Sequence, residues 1–506
     1  MVCRNRKLWT LSVVLATAGL LLLVSSLPAA TFKDLEKNVT EKVLPNGIRV
    51  IILPRPTAPV ISVVTYADVG SVNEVTGITG IAHVFEHMAF KGTETIGTKD
   101  YAKEKEALDK VDQAFFALKA ERDKGRLSSP EKMKELEAAF AKAQEEAGKY
   151  VESNQFSQII ERAGGVGLNA FTALDQTVYH YSLPSNKLEL WATLETDRFS
   201  HPVLREFYKE TSVVREERRM GFESSPTGRL FEELFATAFK AHPYHVLVVG
   251  HMSDLESITR PQAIDWFKKY YCGSNLTACV VGDVDPAAAM AMLEKHLSSI
   301  PAGVKPTPVE TKEPPQQGIK RVSVENKAQP FLAMAYHRPE RSSPDYATFE
   351  VITTLLGNGR TSRLYKRLVK DEKLALYAGC EMMGDKYPGL FLVFALPNKD
   401  KTTEDNEKAV IEEINKIKTE PVSTEELKSV KARERAEFIN SLDSNLGLAM
   451  SLTEFQNLSG SWRDMFKKLD LIDKVTAQDV QRVAKEYFSP KNCTVAQIVK
   501  PESESE

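Results

Sequence analysis

Two histidines and a glutamate lie within five residues, His83-Val84-Phe85-Glu86-His87, and these side chains can do chemistry together. On a helix, residues three and four positions apart share one face. His83 and His87 can therefore bind one metal ion, with the Glu86 carboxylate directed at the same place. Neutral imidazole is a preferred zinc ligand, and a catalytic zinc site has three protein ligands and an open position for water. The spacing predicts one Zn²⁺ per chain, and a chance pair of surface histidines is the disfavoured interpretation.

A third ligand is expected from an acidic helix further along the chain. The stretch FYKETSVVREERRM at 207–220 contains Glu210, Glu216 and Glu217. Glu210 and Glu217 are seven residues apart and so share a helix face. The spacing alone does not choose among the three glutamates, since a Glu-rich helix is usually a solvated surface.

Other potential ligands form weaker patterns. His242 and His245 are three residues apart but adjoin a proline, and we predict a structural role for them. No CxxC pair is present, and the cysteines beyond the N-terminal segment are widely spaced. We expect them to be small buried residues, with a disulfide as the alternative: Cys272, Cys279, Cys380 and Cys493.

Length and charge indicate a globular chain of more than one domain. A chain of 506 residues exceeds one ordinary hydrophobic core. The formal net charge of −3 gives no basis for nucleic-acid binding. At the N-terminus, three basic residues precede an apolar run at 11–24, and SSLPAA at 25–30 follows this run. This pattern predicts a signal peptide over 1–30 and an exported, periplasmic protein. An uncleaved membrane anchor is the alternative.

The chain also contains an internal repeat. The segments 258–283 and 475–500 align without a gap at an offset of 217 residues, and each predicts a threonine-capped helix, a turn and a β-branched strand. A copy at the end of each half indicates duplication. The Pro-rich stretch 301–318 is predicted to be a linker between a catalytic domain (31–300) and a metal-free domain (319–500), with a disordered tail at 501–506.

A strongly charged, helix-periodic region interrupts the first half. It extends over 101–155 and is broken at DKGRLSSP, where Ser129 and Pro130 can begin a second helix. We predict a helical hairpin insertion with a solvated surface. Gating of the site or contact with a partner is the less favoured role.

Several motifs together resemble the pitrilysin/insulinase family of zinc peptidases. GITGIAHVFEHMAFKGT is similar to the family's inverted HxxEH motif, and GGVGLNAFTALDQTVYHYSLP to its GGxxNAxT strand. ETSVVREERRM resembles its second acidic helix. The similarity is greatest to the branch of mitochondrial processing peptidase and its bacterial relatives. It implies an α+β fold of two similar α/β domains, each with a mostly antiparallel sheet packed with helices.

The resemblance also implies roles for particular residues. His83, His87 and Glu217 correspond to the zinc ligands, and Glu86 to the base that takes a proton from water and passes it to the leaving amine. Glu210 corresponds to a supporting carboxylate. The edge strand containing Asn169-Ala170 corresponds to the one that pairs with the substrate backbone; a core strand is the alternative reading of this segment.

The second half departs from the family pattern. Active members commonly have an Arg and a Tyr in a stretch resembling LxxLREKGLAYS, where this chain has YKRLVKDEKLALYAG. Lys370 stands at the arginine position and Leu376 at the tyrosine position, with Tyr377 one residue later. We therefore expect a zinc-free partner subunit of the same family, or a homodimer. The functional expectation is a zinc endopeptidase, and the alternative is a non-catalytic binding or assembly subunit.

Overall fold

The computed structural model describes residues 29–501. The chain forms two compact units that divide between Val39 and Thr40. The first contains helix α1 (Ala29–Asn38). Most of the predicted signal peptide and tail, residues 1–28 and 502–506, lies outside the described residues, so both remain predictions. In the described part of the chain, no helix has the length and apolar character needed to span a membrane.

The larger unit begins with a six-stranded sheet. Its strands are β1 (Thr40–Val43), β2 (Arg49–Pro54), β3 (Val60–Ala67), β4 (Val166–Thr172), β5 (Thr177–Pro184) and β6 (Leu276–Gly282). They lie in the order β1-β2-β6-β3-β5-β4, and only β2 and β6 run parallel. Strands β2, β3 and β6 are buried along nearly their whole length, as expected of strands covered on both faces.

The helices of this half cover the sheet and carry the predicted site. They are α2 (Ile81–Met88), α3 (Tyr101–Arg122), α4 (Pro130–Gly148), α5 (Gln155–Arg162), α6 (Leu188–Ser200), α7 (Phe207–Arg218), α8 (Pro226–Ala238), α9 (Met252–Leu255), α10 (Arg260–Tyr270) and α11 (Pro286–Leu297). A π-helical turn, Arg219–Glu223, follows α7 directly.

The second half repeats this plan with five strands. They are β7 (Lys320–Glu325), β8 (Phe331–Arg338), β9 (Ala375–Met383), β10 (Gly389–Pro397) and β11 (Cys493–Val499), in the order β7-β11-β8-β10-β9. Its helices are α12 (Tyr346–Leu356), α13 (Thr403–Thr419), α14 (Thr424–Ser441), α15 (Asn445–Leu458), α16 (Asp464–Lys474) and α17 (Ala477–Tyr487). A π-helical turn, Tyr365–Asp371, precedes β9.

The internal repeat extends from sequence to hydrogen bonding. Thr259 and Thr476 each form a capping box at the start of α10 and α17. Asn275 donates to the Tyr270 carbonyl, and Asn492 donates to the carbonyl of Tyr487 at the same offset. The strand order also corresponds, since β2-β6-β3-β5-β4 matches β7-β11-β8-β10-β9 in direction. The predicted fold of two similar α/β halves with mostly antiparallel sheets is confirmed.

Each half lends a helix to the sheet of the other, which no sequence pattern predicted. Helix α8 of the first half packs on β7 and β11, and α15 of the second half packs on β3 and β6. Buried side chains of α8, such as Leu230 and Leu234, belong to one apolar cluster with Ala333 and Ile498 of the second sheet. The two halves therefore share a core and form one unit.

The helical hairpin is bound firmly at its base. Helices α3 and α4 pack together, but α3 also buries Ala107, Leu108, Val111 and Phe115 in the core of the first half. The ion pair Arg260–Asp112 links α3 to α10. Because α3 buries this face, it belongs to the body of the fold, whereas α4 buries only Ala147.

The four described cysteines, Cys272, Cys279, Cys380 and Cys493, are free and buried, which agrees with their predicted role as small core residues. The paired histidines further along the first half are also structural. His242 is buried, and its Nδ1 accepts a hydrogen bond from the Tyr244 amide.

Candidate metal centre

The helix that carries the histidine pair is held at its N-terminus by a buried carboxylate. Glu74 accepts hydrogen bonds from the amides of Gly80 (2.7 Å) and Ala82 (2.8 Å), which have no partner within the helix. Burial raises the pKa of Glu74 to about 8. Gly80 has φ +86°, and a Cβ there would lie 2.6 Å from the Val249 carbonyl oxygen, so the close approach requires glycine. These contacts fix where α2 begins.

The two histidines of α2 and Glu217 of α7 meet at one point. His83 Nε2 lies 3.6 Å from Glu217 Oε2, and His87 Nε2 lies 3.7 Å from the same oxygen. One ligand atom from each of the three residues falls within 4.8 Å of the others. Within residues 29–501 this is the one group of at least three His, Cys, Asp or Glu side chains that meets this condition.

This donor set fits zinc. Ligands about 2.0–2.1 Å from an ion in a tetrahedron lie about 3.3 Å apart, close to the two distances to Glu217. Burial, together with the neighbouring His87, lowers the pKa of His83 to about 4, which keeps its imidazole in the neutral, ligating form. The Glu217 side chain is 46% exposed, so the cluster is open on one side to solvent.

The structure separates the three glutamates that the spacing left open. Glu217 faces the histidines. Glu210, one heptad earlier, lies 3.6 Å from His87 Nδ1 and pairs with Lys91 at 2.5 Å. It therefore lies on the side of the His87 ring opposite to the nitrogen that faces Glu217. Glu216 is exposed and pairs with Arg219, away from the cluster.

Glu210 also sets the electrostatics of the cluster. Its contact with His87 raises the pKa of that imidazole, with Glu217 and Glu86 acting in the same direction. The pKa of Glu210 itself is lowered, because the contacts with His87 and Lys91 outweigh its burial. A carboxylate against the second nitrogen is the usual support for a metal-ligating histidine.

Glu86 lies on the same turn of α2 as the histidines. Burial raises the pKa of its carboxyl above the ordinary value, while the adjacent Thr172 opposes the shift. A raised pKa brings a carboxylate closer to the range in which it exchanges protons at neutral pH. Glu86 thus lies beside the cluster with a carboxyl whose pKa is raised.

Strand β4 passes the cluster at the edge of the first sheet. Its inner side pairs with β5, with Asn169 opposite His180 and Ala170 opposite Tyr179, and no described strand pairs with its outer side. Asn169 is exposed and Ala170 is nearly buried. The segment is therefore an edge strand, and the Ala170 amide on it donates to the Asn169 side-chain oxygen at 2.9 Å.

An apolar cavity opens beside the cluster, and no sequence pattern predicts it. Its volume is about 630 Å³, and its polar lining consists of His83, Thr172, Glu217, Ser225 and Thr227. The other walls come from distant parts of the chain, namely Phe222, Phe231, Phe235, Leu247, Val248, Val249 and Met383. Met383 ends β9, so the second half contributes directly to this cavity.

In the second half, Lys370 and Leu376 stand where the family has an Arg and a Tyr. Lys370 is exposed in the π-helical turn before β9. Leu376 and Tyr377 are both more than half exposed near the start of β9, and the Tyr377 ring stacks on Phe394 at 5.7 Å. Strand β9 is the outer strand of the second sheet in the described part of the chain, so these side chains lie along a sheet edge.

The fold and cluster agree with the chain's similarity to known families. Residues 49–119 and 144–250 match the family described as Insulinase (Peptidase family M16), and residues 257–434 match the Peptidase M16 inactive domain. The chain belongs to peptidase family M16. The match omits residues 120–143, which lie within the predicted helical hairpin of 101–155.

Alignments with individual relatives cover nearly the whole chain. The zinc protease PqqE of Helicobacter pylori is 28% identical over 98% of this chain and 99% of its own length. The β subunit of the mitochondrial-processing peptidase of Lentinula edodes is 23% identical over 90% of this chain and 88% of its own length. A solved structure of a Helicobacter pylori protease superposes with a TM-score of 0.77 at 26% identity, covering 92% of this chain and 99% of that one.

Proposed function

We propose that this protein is a zinc-dependent endopeptidase that cleaves peptides or unfolded small proteins. The observation that carries the proposal is the convergence of His83, His87 and Glu217 on one point, with Glu86 beside them. The names of its relatives, which include zinc proteases, support the same reaction.

In this proposal His83, His87 and Glu217 hold the metal. Zinc supplies Lewis-acid activation of a water molecule and of the scissile carbonyl when it is bound. Glu86 accepts the proton from the attacking water and delivers it to the leaving amine. Glu210 keeps His87 oriented through its Nδ1 side, and the partly buried position of Glu86 raises the pKa of its carboxyl.

The substrate is an extended peptide. No described strand pairs with the outer side of β4, so a peptide can add there as a further strand at Asn169-Ala170, taking the place of the Asn169 side chain at the Ala170 amide, and run towards the cluster. Such pairing uses backbone groups and is nearly blind to sequence. The cavity walled by Phe222 and Phe231 adds side-chain selection, because it accepts an apolar residue near the scissile bond.

We further propose that a second chain completes the substrate site. Lys370 lacks the planar guanidinium of the family's arginine, and Leu376 has no hydroxyl. The exposed Leu376 and Tyr377 on the edge of β9 are suited to contact with another protein surface. The partner is a zinc-free relative or a second copy of this chain, and export through the segment 1–30 places the assembly in the periplasm.

A second candidate is a non-catalytic binding or assembly subunit on this scaffold. The match of residues 257–434 to the inactive domain and the loss of the Arg and Tyr favour it. The intact cluster argues against a non-catalytic subunit, because a site that no longer catalyses a reaction does not require three converging ligands and a base.

The experiment compares the chain from residue 31, alone and with its partner, for zinc content and chelator-sensitive cleavage of a mixed peptide library. Glu86→Gln should abolish cleavage and keep zinc, and Glu217→Ala should lose both. Glu216→Ala is the matched control. Glu216 is the residue next to Glu217, but its own carboxylate pairs with Arg219 away from the cluster. Zinc without cleavage in both preparations would instead support the binding subunit.

A further inference from the structure

One buried arginine donates hydrogen bonds from its whole guanidinium to helix α3 and to the loop that follows α2. Arg205 is 1% exposed. Its Nε and Nη2 donate to the two carboxylate oxygens of Glu104 at 2.7 and 3.3 Å. Its Nη1 donates to the carbonyls of Lys91 (2.5 Å) and Ile96 (2.9 Å), and Nη2 donates to Thr93 (2.6 Å). These five bonds use all five N–H groups that a guanidinium has.

The three carbonyls belong to the loop that leaves the histidine helix. Helix α2 ends at Met88, and the loop then wraps around the guanidinium. Gly92 and Gly97 have φ of +95° and +86°, and a Cβ at either would lie within 2.8 Å of Arg205 Nη1. The loop thus follows the outline of the arginine side chain, and its two glycines permit the close approach.

Arg205 also stands directly before the helix that carries the third candidate ligand. Helix α7 begins at Phe207, two residues later, and reaches Glu210 after one turn. The loop that Arg205 binds carries Lys91, whose Nζ pairs with Glu210 at 2.5 Å. Glu210 in turn lies against His87. The same guanidinium therefore fixes the exit of α2 and the entry of α7.

We propose that Arg205 is a positioning residue that sets the separation of the two ligand-bearing helices. It acts through the loop carbonyls and Lys91 and does not touch the reacting atoms. The inference rests on the proposed zinc site, and it assigns metal affinity to a side chain outside the family motifs. A simple structural role would instead affect folding alone.

Arg205→Lys tests the proposal while keeping the charge. Lysine has three donors on a single nitrogen, so it cannot serve Glu104 and three carbonyls in different directions. We expect zinc affinity, measured by competition with a chromophoric chelator, to weaken roughly 10–100-fold. The absorption spectrum of the Co²⁺-substituted protein should change in the same variant, because the ligand geometry relaxes.

Two further variants keep the test decisive if Arg205→Lys folds poorly. Glu104→Gln keeps the side-chain shape and removes the charge, and we expect a smaller loss of zinc affinity in the same direction. Arg363→Lys is the matched control, because Arg363 makes the same two-bond contact with Glu426 (3.0 and 2.7 Å) in the second half. Its zinc affinity should stay within about twofold of the unmodified chain.

The outcomes separate this inference from the proposed function. If the unmodified chain binds no zinc at the cluster, the proposed function fails. If it binds zinc and the folded Arg205→Lys and Glu104→Gln variants bind it equally well, only the positioning role is overturned. An equal loss of affinity in Arg363→Lys would also overturn it, because general destabilisation would then explain the effect.

Discussion

Asp175 provides a quantitative test of how the second half is held against the metal centre. It lies in the turn between β4 and β5 and is 5% exposed. Its two oxygens accept from the Tyr244 hydroxyl at 2.6 and 2.7 Å, and one also accepts from the amides of Asp385 and Lys386 at 3.1 and 3.2 Å. Those amides belong to the β9–β10 turn, next to Met383 of the cavity wall.

The expected loss of stability follows from the groups left without an acceptor. Asp175→Ala leaves the O–H of the buried Tyr244 without an acceptor, at about 1–3 kcal/mol, while the Tyr387 amide still donates to the hydroxyl oxygen at 3.3 Å. It also leaves two half-buried amides unpaired, at about 1 kcal/mol each. The free energy of unfolding should fall by roughly 3–5 kcal/mol. Asp175→Asn keeps one carbonyl oxygen of similar shape, so roughly 1–2 kcal/mol is expected.

Urea unfolding followed by far-UV circular dichroism measures these differences by linear extrapolation. Asp68→Asn is the control, because it removes the partly exposed Asp68–Lys386 ion pair across the same interface and should cost no more than about 1 kcal/mol. If Asp175→Ala loses no more stability than Asp68→Asn, the hydrogen bonds of Asp175 do not hold the turn, and the reasoning is refuted.

Two predictions concern the metal centre and the cavity. Glu210 raises the pKa of His87, so zinc binding near neutral pH should release more protons from the unmodified chain than from Glu210→Gln. Calorimetry in buffers of different ionisation enthalpy measures the number of protons released. Equal proton release from the two proteins would contradict this prediction. Phe231→Ala should lower kcat/KM about tenfold or more for peptides with a large apolar residue near the cleaved bond. Peptides with alanine there should be affected far less, and a uniform loss would exclude selection by the cavity.

The elements that the sequence predicts correctly are those that depend on the spacing of nearby residues. The HxxEH pattern predicts its helix because an i,i+4 pair converges only on a helical turn, and α2 extends over Ile81–Met88. The repeat at an offset of 217 residues predicts matching helix-turn-strand units because it preserves their caps and apolar positions. Both depend on neighbours in sequence, and the structure contains both elements.

Features that depend on tertiary approach were beyond sequence reasoning. Spacing left Glu210, Glu216 and Glu217 equivalent, since only the packing of α7 against α2 decides which glutamate faces the histidines. Arg205 and Glu104 are about a hundred residues apart, and no periodicity relates them. The exchange of α8 and α15 between the halves has the same origin, because an apolar helix face does not specify which sheet it covers.

The most direct test of the central claim is an anomalous difference map, recorded at the zinc absorption edge from crystals of the zinc-loaded chain. We expect one strong peak per chain, within about 2.0–2.2 Å of His83 Nε2, His87 Nε2 and a Glu217 carboxylate oxygen. A peak at any other group of ligands, or no peak at these residues at saturating zinc, would contradict the assignment of the metal centre.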